Sequence, residues 1–178
     1  MQEVHRAVAA RGDNLKLPME DLHAALAVLF AELVDGPSPE AAYALNRTDP
    51  GLLRSLDGLS AAAASSPPAS GGASIAAHVD HLRYGLELMN RWGEGEADPW
   101  SGADWTASWR RTTVSDEQWA AVREQLRSET RRWHKALQRP RTMSALELNG
   151  VIASVAHVAY HLGAIRQIDP SIRGPKAT

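Results

Sequence analysis

Four stretches of this chain repeat their apolar residues every three or four positions, and none alternates them convincingly every second one. A period of 3.6 residues gathers those side chains into one stripe of a helix, and other helices are what can bury it. Leu22, Leu26, Leu29, Phe30 and Leu33 form the first stripe, in a segment opening at Leu17-Pro18 and stopping at Gly36-Pro37. Proline suits a first helical turn, and glycine followed by proline ends one. Ile75, Val79, Leu82, Leu86 and Met89 form the second, entered at Ser74 and left at Gly93. The third is Trp119, Val122, Leu126, Trp133 and Leu137, running from Ser115 to Pro140. The fourth is Val151, Val155, Val158, Leu162 and Ile165, from Ser144 to Ile168, before Asp169-Pro170. Ser115 with Gln118, and Ser144 with Glu147, have the spacing of a capping box. The pattern predicts an all-α protein, a four-helix bundle with long connections between helices.

A chain of 178 residues suits a single domain spanning 1–178. Its irregular connections fall at about 37–73 and 93–114. In the first, Asn46 to Ser60 reads as turns around Leu52, Leu53, Leu56 and Leu59, and Ser65–Ala73 is a Pro/Gly/Ser-rich linker. The second holds Trp100, Trp105 and Trp109, with Trp92 just before it. Connections this long inside a domain usually line or cover a site. Gly150 and Gly163 lie inside the fourth helix, where each costs about 1 kcal/mol relative to alanine. That cost predicts a close approach by another helix or a ligand.

The composition narrows the chemistry. There is no cysteine, against seven histidines and six tryptophans. Disulfides, thiolate zinc fingers, cysteine-held iron–sulfur clusters and cysteine nucleophiles are excluded. A metal site must use His, Asp, Glu and water. A net charge of −2 gives no reason to expect nucleic acid as a partner. The apolar runs Ala24–Ala31 and Val151–Ala156 are far shorter than the roughly 20 residues that span a bilayer. Glu3, His5 and Arg6 do not make a secretory signal. These features lead us to expect a cytoplasmic protein without membrane attachment.

His157 and His161 stand four residues apart, which places both rings on one helix face, one turn apart. Two imidazoles so placed can share an ion. The second helix adds His78 and His81. At 100° per residue, His81 lies about 100° from Leu82, at the edge of the stripe, and His78 about 40° from it. His161 stands at the same angle from Leu162, on the same side. His81 therefore matches His161 in kind, and His78 reads as a core histidine or a neighbour of the ligands, although it remains the alternative ligand from this helix. Three histidines leave a tetrahedral ion one open position, the layout of a catalytic rather than a closed structural site. Neutral imidazole is the binding form, so acid should release the metal.

The segment Ser74-Ile75-Ala76-Ala77-His78-Val79-Asp80-His81-Leu82 is followed in the fourth helix by His157-Val158-Ala159-Tyr160-His161 and then Gly163, Ile165, Arg166 and Gln167. Together they resemble the DinB/YfiT-like superfamily of metal-binding four-helix bundles. The resemblance is strong over about half the chain, in helices two to four. It implies a divalent metal ion, zinc or nickel, on His81, His157 and His161, with water completing its shell. It also implies a homodimer. Some relatives are transferases or isomerases that use low-molecular-weight thiols. The expected activity is accordingly metal-dependent thiol transfer, or a hydrolysis, on a small-molecule substrate. The alternative is a metal-binding stress-response protein without turnover.

Other features carry less. Arg123, Arg127, Arg131 and Lys135 make a basic stripe, but Glu117, Glu124 and Glu129 interleave with it, as on a solvated helix face. Trp100, Trp105 and Trp109 read as packing anchors of their connection or as walls of a substrate pocket. Tyr160 and Asp80 point away from the ligands on their helices. Asn149, Ser154 and Glu87 are candidates to support them. His5, His23 and His134 have no partner at ligand spacing.

Overall fold

A computed structural model describes residues 19–172, which contain helices and no strand. The helices are α1 (Met19–Asp35), α2 (Leu52–Asp57), α3 (Ala61–Ser65), α4 (Ile75–Gly93), α5 (Asp116–Leu137) and α6 (Ala145–Ile168). Single 3₁₀ turns lie at Ala107–Trp109 and Pro170–Ile172. The four long helices form a bundle whose contacts close a ring: α4 packs on α5 and α6, and α1 packs on the same two. The expected start at Leu17-Pro18, and His5, lie outside the described residues.

The caps act as the sequence indicates. Ser74 accepts a hydrogen bond from the Ala77 amide at 3.3 Å. Both capping boxes close, with the Ser115 amide donating to Gln118 Oε1 at 2.9 Å and the Ser144 amide to Glu147 Oε2 at 2.7 Å. Each box satisfies two amides that the helix leaves without internal partners. The apolar stripes meet inside: Phe30, Ile75, Leu82, Leu126, Trp133, Leu162 and Ile165 are fully buried or nearly so. Trp133 keeps its indole N–H satisfied by donating to Ser154 Oγ at 2.8 Å, and Ser154 donates onward to the Val151 carbonyl at 2.7 Å. Ser154 thus serves the core rather than the histidines.

Two expectations change. The stretch read as turns holds α2, with α3 directly after it. Leu52, Leu53 and Leu56 are buried at helical spacing, and Ser60 caps α3 through the Ala63 amide at 3.1 Å. Helices of five and six residues are too short to display a period, so their apolar residues pass for turn anchors. α2 begins where the backbone of Gly51 crosses the end of α1. A Cβ on Gly51 would lie 2.3 Å from the Gly36 amide nitrogen, so no other residue fits there. Gly36 itself has φ +106°, which lets the chain turn off α1. By contrast, a Cβ on Gly150 or Gly163 would meet nothing within 4 Å. The close helix approach expected at those two positions does not occur.

α6 alone among the described helices is long and apolar enough to span a bilayer by length and composition. Its Val151, Val155, Val158, Leu162 and Ile165 stripe is buried in the bundle core. In the basic stripe of α5, Arg123 and Arg127 turn back to Asp57 of α2 at 3.5 and 3.0 Å.

Candidate metal centre

The α4 and α6 stripes set their edges against each other, which brings His81, His157 and His161 together. One ring nitrogen from each lies within 4.8 Å of the others. His81 and His161 are buried and His157 is half-buried, so the cluster opens to solvent at His157. His161 Nε2 lies 2.8 Å from His157 Nε2, and its other nitrogen, Nδ1, lies 2.9 Å from Nδ1 of the buried His78. His78 therefore meets His161 on the side away from His157. A His161 Nδ1–H donated to His78 leaves Nε2 as the lone-pair atom facing the cluster.

The third histidine is set by the connection between α4 and α5. Ser108 Oγ donates to the Trp105 carbonyl at 2.7 Å, which commits its only proton. Towards His81 Nδ1, also 2.7 Å away, Ser108 can only accept. His81 thus carries its proton on Nδ1 and a lone pair on Nε2, the tautomer that a metal requires of it. Such outer partners fix ring orientation and raise ligand basicity. Trp109, the next residue, stacks on the His81 ring with centroids 4.1 Å apart and planes 21° apart, and meets the His78 ring edge-on. One turn, Ala107–Trp109, delivers both contacts.

That connection is tied along α4. Asp80 is buried and holds Arg83 at 2.9 Å on one oxygen and Arg111 at 2.9 Å on the other. Ser74 Oγ donates to the Thr112 carbonyl at 2.7 Å, and the Asp104 amide donates to the Tyr84 hydroxyl at 3.1 Å. With both oxygens engaged by arginines, Asp80 stays out of the histidine cluster. Glu87 holds Arg83 at 2.7 Å, and Asn149 lines a cavity further along α6, so neither supports a ligand. Tyr160 is largely exposed, with its ring edge-on to His161 at 5.1 Å. His23 bonds the main chain of Leu137 and Arg141, and His134 lies beside Phe30. Ser108 and Arg111 were not singled out by the sequence. Their only signal was their place in a long tryptophan-bearing connection.

Burial makes the cluster neutral. Desolvation, then repulsion from His157 and His78, lowers His81 to about 4 against an opposing pull from Asp80. Desolvation, then His157, His78 and His81, lowers His161 to about 3. His78 and His157 are also lowered by burial. Near pH 7 these are uncharged imidazoles offering lone pairs in a confined space. The donor set fits a borderline divalent metal ion. Three such donors would leave an ion room for a further ligand, and the cluster opens to solvent at His157.

A family model described as the DinB superfamily matches residues 44–164, more than half the chain and the whole histidine cluster. No curated protein and no solved structure matches the chain. The chain belongs to the DinB superfamily.

Proposed function

We propose that His81, His157 and His161 hold one divalent metal ion, zinc or nickel, and that the protein uses it for thiol transfer or a related hydrolysis on a small-molecule substrate. The observation carrying this reading is the convergence of three lone-pair-bearing histidines with one side open. Bound there, the ion would lower the pKa of a thiol or water at its open position. The chain's own residues prepare that position. Ser108 holds His81 in the binding tautomer, and His78 orients His161. Trp109 covers the His81 ring, excluding water from that side. With no cysteine in the chain, the sulfur must arrive with a low-molecular-weight thiol. The reading includes a cytoplasmic setting and a homodimer.

The test is an assay of metal-loaded protein with a panel of low-molecular-weight thiols and an electrophilic acceptor. A rate above that of the metal-free protein, lost in His157→Ala, supports the reading. No such rate with any thiol, or in hydrolysis of the acceptor, leaves the alternative: a metal-binding stress-response protein without turnover.

A further inference from the structure

A cavity of about 530 Å³ opens beside His157, between α4, α6 and the tryptophan-bearing connection. A second, of about 560 Å³, continues it towards the start of α6. The two share Met89, Trp100, Gly150 and Ala153, and so form one trough. From His157 to Gly150 the trough follows α6 for about 10 Å, given a rise of about 1.5 Å per residue. Each cavity is in the size range of small-molecule pockets.

Its walls limit the occupant's chemistry. Near His157 they are apolar and aromatic, with Leu86, Met89, Trp100 and Trp105. Among the described residues, no lysine or arginine lines either cavity. The one carboxylate, Glu147 at the far end, is engaged in capping α6 through the Ser144 amide. The cation beside this path among the described residues is Arg141 at its far end, 3.8 Å over the Trp92 ring and already facing Glu147, so an anionic body buried beside His157 would be costly. Trp100 and Trp105 remain 37% and 40% exposed, offering indole surface to whatever enters. The floor adds an independent sign. Gly150 lies inside α6, in its second turn, where alanine is favoured by about 1 kcal/mol. Among the described residues, no atom beyond its chain neighbours and the nearby α6 backbone lies within 4 Å of where its Cβ would be. Among the described residues, nothing packs on Gly150 that would require this space to be kept open.

We propose that this trough is the acceptor subsite, and that it takes an uncharged, elongated, apolar small molecule, alkyl or aromatic, whose reactive polar end lies at His157. The inference rests on the metal-centre reading and names its substrate class.

Hydroxamates of increasing chain length test it, since the head group chelates a divalent metal and the tail probes the trough. With zinc-loaded full-length protein, affinity should rise roughly three- to fourfold per methylene from acetohydroxamate to octanohydroxamate. The same chain ending in a carboxylate should bind at least tenfold more weakly than octanohydroxamate. N-phenyl-1-naphthylamine, uncharged and without a chelating head, should bind and be displaced by octanohydroxamate. Gly150→Leu and Ala153→Phe should each remove the chain-length dependence and the fluorophore binding, while zinc content and acetohydroxamate affinity persist. Acetohydroxamate binding with no gain from longer tails would overturn the trough and leave the metal centre standing. If zinc and hydroxamates fail to bind but the fluorophore still binds and both variants block it, the trough stands and the metal reading falls. Exclusion of the fluorophore from wild type that sediments as a dimer, with Ala153→Phe monomeric, would also overturn the proposal: the occupant would be a second copy of the chain.

Discussion

Two irregular connections join the helices of this bundle, and each is secured by a buried carboxylate, to different ends. Between α1 and α2 the anchor is Glu32. It accepts hydrogen bonds from the amides of Tyr43, Ala44 and Leu45 at 2.9, 2.8 and 2.7 Å. Its partners are all main chain, so these bonds shape the loop, while Arg166 of α6 holds the same connection through Asp49 at 3.3 Å and the Pro50 carbonyl at 2.7 Å. Between α4 and α5 the anchor is Asp80, whose partners are side chains, and the loop it holds presents Ser108 and Trp109 to the histidines. The contrast separates stability from function. Glu32 fixes backbone alone, whereas Asp80 fixes a loop so that a ligand has the right tautomer.

The largest effect expected from breaking this contrast is on the stability side. Glu32→Ala would leave three amides without their carboxylate and should destabilise the fold by about 3 kcal/mol. Zinc affinity should be unchanged, as denaturant melts and metal titration will show together. Ser108→Ala should do the reverse. Loss of an outer partner costs roughly tenfold or more in metal affinity, whereas apo stability should move by less than about 1 kcal/mol. Equal loss of stability in both variants would erase the distinction. Arg111→Ala comes next, since its side chain is 40% exposed and its ion pair is partly screened. Zinc affinity should fall only about two- to threefold, and the emission of Trp105 and Trp109 should shift as the connection loosens.

Acid gives a smaller and more gradual signal in the metal-free protein. His81 and His161 titrate at about 4 and about 3 in the fold, against an unfolded value near 6.5. As pH falls below about 6.5, the unfolded chain takes up protons that the native cluster refuses. Stability should therefore decline from pH 6.5 down to about 4 and, for His161, to about 3. Below that, both states are protonated and these groups contribute no further slope. Denaturant melts of wild type and His161→Gln across this window check the sign. The variant should show the shallower decline.

The legible part of the molecule was whatever depends on neighbours along the chain. Ser74, Ser115 and Ser144 mark helix starts because a cap bonds an amide three residues on. His157 and His161 declare a shared face because one helical turn separates them. His81 could be matched to them by its angle from the apolar stripe. The contacts that depend on the path of a connection were not legible. Nothing local tells Ser108 that its partner is 27 residues back, or Arg111 that Asp80 lies 31 back. Gly150 left its neighbour open for a related reason. A glycine in a helix signals a need for space, but sequence does not say whether protein fills that space.

The most direct test of the central claim is the metal content of full-length protein purified without a histidine tag, measured by elemental mass spectrometry. The expected result is about one zinc or nickel ion per chain in wild type and almost none in the His157→Ala/His161→Ala double variant. Equally little metal in both proteins would contradict the metal centre.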